Sequence, residues 1–128
     1  MKLLLDTHAF IWWANEPEKL SRNALMACRD PVNVLLLSAA SVWEMQTKAQ
    51  LGRLKVRRPI EDLVRAQQQA NRLQILPIEL AHILKLEDLP PHHKDPFDRL
   101  LIVQANAEGA VLVTVDSVFS HYSVNLLW

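Results

Sequence analysis

Short apolar runs that stop abruptly at a carboxylate constrain this chain more than any other feature. Leu3-Leu4-Leu5 is followed at once by Asp6-Thr7, and Val113-Thr114-Val115 by Asp116-Ser117. A third acid, Asp98, leads directly into Arg99-Leu100-Leu101-Ile102. Runs this short and this continuous in apolar character suit strands covered on both faces, as in a parallel sheet. A charge at the end of such a run is costly, because the residues beside it must be dry. Parallel strands all end at one rim, so carboxylates carried by separate strands converge there. Converged carboxylates repel one another, and a hard divalent cation with oxygen ligands relieves the repulsion.

A parallel sheet needs helices between its strands, and the pattern supplies them. The apolar run Leu3 to Leu5 predicts a strand, and Thr7 to Ala14, with Ala9, Phe10, Ile11, Trp12 and Trp13, a helix with apolar residues on every side. Asn15-Glu16-Pro17 breaks it. Leu20, Ala24, Leu25 and Cys28 then recur at helical spacing, which predicts a helix over Glu18 to Arg29. Val32 to Leu37 reads as a second strand, and Ser38 as the N-cap of a helix reaching about Leu51, where Gly52 stops it. Pro59, with Glu61 and Asp62 behind it, opens another helix. Leu73 to Ile78 predicts a strand, Glu79 to Leu86 a short helix, and Pro90-Pro91 a stop. Asp95-Pro96 caps and starts a helix running to Glu108, ended by Gly109. Val111 to Val115 is the fourth strand and Val124 to Leu127 a weak fifth. Strands alternating with helices at these distances mean βαβ units, an α/β fold with helices on both faces of the sheet.

With 128 residues, half of them apolar, the chain is expected to form one domain over 1–128 with a sizeable core. Two glycines leave no room for a glycine-rich dinucleotide or phosphate loop. Lone Cys28 offers no disulfide framework and suits a reducing, cytoplasmic setting. The longest apolar stretch, Val34 to Trp43, carries Ser38 and Ser41 and falls far short of membrane-spanning length, so no membrane is expected. Lysine plus arginine balances aspartate plus glutamate at 14 each. Locally the balance breaks: Lys48, Arg53, Lys55, Arg57 and Arg58 follow one another with no acid between Gln46 and Ile60. That run reads either as a solvated helix end and loop or as a phosphate-facing patch.

Each acid has a plain structural reading. Asp6 and Asp116 are placed to cap the turns that follow them, and Asp95 and Asp98 stand at the N-cap and third position of one helix. Glu44 lies mid-helix on the face of Ser41, either directed to solvent, the plainer reading, or deliberately buried. Taken together at the ends of parallel units, Asp6, Glu44, Asp98 and Asp116 read as a divalent-ion site. Zinc fits less well, since His8, His92 and His93 show none of its tight ligand spacings. The two neighbouring histidines suit a rim position or an exposed loop. A phospho-acceptor receiver domain also gathers acids at strand ends. It wants paired acids after the first strand and a lysine after the last, where this chain has Asp6 alone and Ser120-His121.

Four segments carry a family resemblance: Leu4-Leu5-Asp6-Thr7-His8, Ser38-Ala39-Ala40-Ser41-Val42-Trp43-Glu44, His93-Lys94-Asp95-Pro96-Phe97-Asp98-Arg99-Leu100-Leu101-Ile102 and Leu112-Val113-Thr114-Val115-Asp116. In order, spacing and full-length coverage the chain resembles the PIN-domain ribonucleases, and more closely the VapC-type toxins of bacterial toxin–antitoxin pairs. The segment from His93 to Arg99 is the most specific. Ser41 stands where threonine is common, which leaves a hydroxyl in place. The resemblance implies a three-layer α/β/α fold around a mainly parallel sheet of four to five strands, Mg²⁺ or Mn²⁺, and endonucleolytic cleavage of RNA. It also implies a homodimer and inhibition by a cognate VapB-type antitoxin. Asp6, Glu44 and Asp98 match the family's best-defined acids and Asp116 its more variable fourth. A catalytically inert protein-binding module on the same fold is the alternative. Hydrolysis of a phosphodiester needs charge neutralisation and a hydroxide-like nucleophile, and a carboxylate-held divalent ion supplies both. Asp6 and Asp98 are the expected ligands, direct or through water. Glu44 and Asp116 complete the site, and Thr7, Ser38 and Thr114 serve as hydrogen-bond donors to the carboxylates. The outer face of the Phe10-to-Trp13 helix, or of the helix with Leu25 and Met26, is an expected protein interface.

Overall fold

The computed structural model describes residues 1–128. Five strands, β1 (Lys2–Leu5), β2 (Val34–Ser38), β3 (Gln74–Leu76), β4 (Val111–Val113) and β5 (Leu126–Leu127), form one sheet in the order β3-β2-β1-β4-β5. Every pairing is parallel: Leu3 lies opposite Leu35 on one side and Val111 on the other, and Val113 opposite Leu127. The sheet is thus wholly parallel, where the resemblance implied one mainly so.

Six α-helices connect the strands: α1 (Thr7–Asn15), α2 (Arg22–Arg29), α3 (Ala39–Gln50), α4 (Ile60–Asn71), α5 (Leu80–Leu84) and α6 (Pro96–Glu108). The chain steps outward from β1 to β2 to β3, with α1 to α4 on one face. It then returns past β1 to β4, with α5 and α6 on the other face. Parallel crossovers keep one hand, so reversing the direction of travel moves the helices across the sheet and makes three layers.

The two-residue period of the strands feeds both layers. Leu3, Leu5, Leu35, Leu37 and Val113 pack with Phe10, Trp13, Ala24, Met45, Ile60 and Leu63 of α1 to α4. Leu4, Leu36 and Leu112 point the other way, onto Leu101, Ile102 and Ala105 of α6 and onto Phe119 and Tyr122. The continuous apolar runs are therefore needed in full. Truncating fully buried Leu4 to alanine would cost about 2–5 kcal/mol.

Several boundaries differ from expectation. The helix expected from Glu18 begins only at Arg22, because Ser21 caps it through the Ala24 N–H at 3.1 Å, and Pro17–Lys19 forms a separate 3₁₀ turn. The second strand starts at Val34 rather than Val32, whose side chain is exposed. β4 ends at Val113, although the Thr114 N–H still donates to the Leu127 carbonyl at 3.2 Å. The short helix after β3 finishes as a 3₁₀ turn over Lys85–Asp88. Gly52 and Gly109, at φ +71° and +62°, end α3 and α6 as their positions imply.

The surplus apolar surface of α1 is partly absorbed within the chain. Ile11 and Trp12 pack against the core, and the Trp12 ring lies 5.8 Å from that of Trp128. Large apolar side chains lie open elsewhere, at Met26 and Trp43, and at Leu80, Ile83 and Leu84 along α5. No helix is long and apolar enough to cross a membrane.

Candidate metal centre

Parallel strands bring their carboxyl ends to one rim, and the crevice outside it lies where the chain reverses direction, between β1 and β4. Asp6 stands there, only 5% exposed. It caps α1, accepting from the Ala9 N–H at 2.8 Å, while its own N–H donates to the Val113 carbonyl at 3.1 Å. Burial raises its pKa, and the neighbouring Asp116 carboxylate adds to the effect. The Thr114 hydroxyl, the Ala9 N–H and His8 work in the opposite direction.

Glu44 is buried as well, which overturns the plainer expectation of a solvent-directed side chain. Ser38 starts α3 by accepting from the Ala40 N–H at 3.0 Å, and that register turns Ser41, Glu44 and Met45 inward while Trp43 faces out. Both Glu44 oxygens are engaged: the Thr7 hydroxyl donates to Oε1 at 2.6 Å and Lys48 Nζ to Oε2 at 2.7 Å. Thr7 and Thr114 thus hold carboxylates as expected. Ser38 does not, since its hydroxyl is spent on the cap.

Asp98 is the third residue of α6, which Asp95 caps through the Phe97 and Asp98 N–H groups at 2.8 and 3.1 Å. Its Oδ2 lies 2.8 Å from His93 Nε2. Burial pushes the Asp98 pKa up to about 6, opposed by the His93 hydrogen bond, with the carboxylates of Asp95 and Glu44 adding to the rise. Mutual repulsion of the acids, the cause the sequence suggests, is therefore second to desolvation at both Asp6 and Asp98. Asp116 is exposed and caps the 3₁₀ turn Ser117–His121 through the Val118 N–H at 3.0 Å, so its capping role is realised.

These links join the acids into one rim. Thr7 ties the Asp6 turn to Glu44, Glu44 and Asp98 feel each other's charge, and Asp116 acts on Asp6. Only His93, Asp95 and Asp98 offer three potential ligand atoms all within 4.8 Å of one another; Asp6, Glu44 and Asp116 lie outside that group. The sequence places His93 at a rim or in a loop and does not show what positions it. The His93 N–H donates to the Tyr122 hydroxyl at 2.8 Å, and that hydroxyl donates to the Pro90 carbonyl at 3.0 Å. Arg99 reaches the Pro90, Leu86 and Leu89 carbonyls at 3.0 to 3.4 Å and so clamps the same loop. The adjacency of Arg99 to Asp98 was the available signal. His8 lies beside Trp12 and His92 beside Tyr122, so the three histidines considered for zinc do not converge. Cys28 is buried, with its pKa pushed up to about 11, which leaves it inert as a nucleophile.

The donor set suits a divalent ion. It is built of hard carboxylate oxygens, and burial holds two of the acids above their ordinary pKa. One turn before Glu44 on the same face, the Ser41 hydroxyl is buried with no hydrogen-bond partner in the protein.

Residues 3–125 match the PIN domain family model. Ribonuclease VapC22 of Mycobacterium tuberculosis is 32% identical over 115 residues, covering 89% of this chain and 86% of that protein. Among solved structures, VapBC2 from Rickettsia felis bound to a promoter DNA fragment superposes with a TM-score of 0.73 at 17% identity, covering 99% of this chain and 98% of the other. DNA-bound VapBC from Salmonella typhimurium superposes with a TM-score of 0.67 at 19% identity, covering 99% and 97%.

Proposed function

We infer that this chain, which belongs to the PIN-domain family, is a metal-dependent endoribonuclease and the toxin of a VapBC-type pair. The observation that carries this reading is the gathering of Asp6, Glu44 and Asp98 from three separate elements at one rim, two of them with raised pKa. Acids whose ionisation burial opposes serve a site better than they serve stability.

Asp6 and Asp98 are the proposed metal ligands, direct or through water, and Glu44 and Asp116 complete the set. Mg²⁺ or Mn²⁺ bound there would supply charge neutralisation for the phosphate and a strong nucleophile near neutral pH. The chain's own residues fix the ligands. Ala9 and Thr114 orient Asp6, and Thr7 and Lys48 hold Glu44 so that it need not rotate when substrate arrives. His93, gripped through Tyr122, aims Asp98 and spares it from a fully dry environment. Residues 1–128 act as one PIN domain, working in the cytoplasm on RNA. The VapBC assemblies among the structural neighbours support a cognate VapB-type antitoxin as partner, and a homodimer is the proposed resting form.

Purified protein freed of antitoxin should cleave structured RNA with added Mg²⁺ or Mn²⁺ and stop when EDTA is added. Cleavage that survives exhaustive chelation would overturn the metal mechanism. No cleavage of any RNA would leave a PIN-fold protein-binding module.

A further inference from the structure

A rim of carboxylates repels RNA, so binding free energy must come from positive charge beside it. The chain as a whole offers none in excess, since its formal net charge is zero. The connection between α3 and α4 departs from that balance. We propose that Arg53, Lys55 and Arg57 form a phosphate-binding strip that holds RNA leading away from the Glu44 side of the acid rim. The proposal rests on the ribonuclease reading for the identity of its polyanion.

The local backbone builds this strip. Leu54 and Val56 turn inward and pack against the core under α1 to α4, while Arg53, Lys55 and Arg57 between them are exposed. The apolar residues anchor the segment and the alternation aims its cations outward. Its start is fixed too: Gly52 turns at φ +71°, and the Arg53 and Leu54 N–H groups both donate to the Lys48 carbonyl, at 2.8 and 3.2 Å. Lys48 is the residue whose Nζ bonds Glu44. From Glu44 to the end of α3 is about 9 Å along the helix axis, and along the chain from Lys48 the positive groups follow one another with no acid between Gln46 and Ile60.

These charges are unspent. Lys2, Lys19, Lys48 and Arg65 have carboxylate partners within 4 Å, and Arg53, Lys55 and Arg57 have none. Glu16 and Glu18, just past the end of α1, line a cleft with Lys55 and Arg57. Glu16 is paired with Lys19 at 2.9 Å, which leaves Glu18 against two cations. On the α4 side Glu61 is paired with Arg65, and Arg58 leans on the Asp62 carbonyl at 3.5 Å, away from the strip. A surface with its apolar residues turned inward and cations turned out matches a phosphate backbone better than the apolar core of a protein interface.

The test is the full-length Arg53→Gln/Lys55→Gln/Arg57→Gln variant, which keeps Leu54 and Val56, against a control with Arg22, Arg29 and Arg72 changed to glutamine. Binding of a labelled single-stranded RNA is titrated in EDTA over a range of salt, so the readout does not depend on cleavage. The strip variant should lose at least tenfold in affinity, and the slope of log K against log salt should fall by about 2, the value for three lost phosphate contacts. With metal, KM should rise and kcat stay unchanged on long RNA, while an oligonucleotide spanning only the cut should be indifferent. An unchanged slope, an equal loss in the control, or no binding by the parent protein would each overturn the strip. So would intact RNA binding with a weakened antitoxin complex, which would assign the cations to an acidic protein segment. Absence of cleavage with normal, salt-sensitive binding would refute the ribonuclease reading and leave the strip standing.

Discussion

Asp6 and Asp98 stand on the same rim, yet different kinds of structure hold them. Asp6 closes β1 and caps α1, so the ends of two regular elements and a backbone N–H fix it before any side chain helps. Asp98 has no backbone donor to its carboxylate among its hydrogen bonds. It relies on an imidazole carried by a loop, itself gripped by Tyr122 and Arg99. The first acid is as rigid as the sheet. The second is only as well placed as the segment from Pro90 to Asp95 allows.

The strongest test removes each charge in turn. Asp6→Asn and Asp98→Asn should each cut cleavage by about 10³-fold or more, the several kcal/mol that charge stabilisation of a phosphoryl group supplies. Both should stay folded, because neither carboxylate ionises easily in place. A variant that kept a tenth of the activity would remove that acid from the metal site.

Next comes pH. A carboxyl whose pKa is higher in the fold than in the open chain adds stability while protonated and loses it on ionising. For Asp98 that contribution is present below its ordinary value of 3.8 and disappears as pH rises through about 6. The loss is on the order of 2–3 kcal/mol. Thermal melts in EDTA between pH 4 and 7 should show parent stability falling relative to Asp98→Asn. Parallel curves would mean that Asp98 ionises as it does in the open chain.

His93→Ala against Thr114→Val sharpens the contrast between the flanks. Losing His93 should lower cleavage by about 10- to 100-fold and raise the Asp98 pKa further, which shifts the acid limb of the pH–rate profile. Losing the Thr114 hydroxyl should cost less, since Asp6 keeps the Ala9 N–H. Equal effects would erase the distinction. The smallest change expected is Asp95→Asn, within about 0.5 kcal/mol of the parent in stability and near it in activity, because asparagine caps a helix as well as aspartate. Inactivation on the scale of Asp98→Asn would make Asp95 a ligand.

Elements governed by local chemistry were legible in the sequence: the leucine runs, the caps at Ser38 and Asp95, the glycine stops at positions 52 and 109. Asp6 was legible for the same reason, being both a strand end and a cap. Glu44 was half legible, since its place on α3 could be read but its burial could not. Burial there follows from α1 crossing close enough for Thr7 to reach it, a tertiary fact. The His93–Asp98 contact and its dependence on Tyr122, 29 residues away, have no local signature either. Nor does the buried His82–Gln104 contact between α5 and α6, which spans 22 residues. The start of α2 is ambiguous in the sequence because Pro17 and Ser21 both offer a beginning, and the serine hydroxyl prevails.

The central place of β1 has a consequence for when the molecule can act. Leu3 to Leu5 pair on one side with β2 and on the other with Val111–Val113, which is made far later in the chain. Until that stretch has left the ribosome, β1 has a neighbour on one side only, and Asp6 lacks Thr114. Contacts so distant in sequence are the slowest to form. A nascent or prematurely terminated chain that stops before β4 therefore carries Asp6 and Glu44 without the strand and the hydroxyl that complete their surroundings.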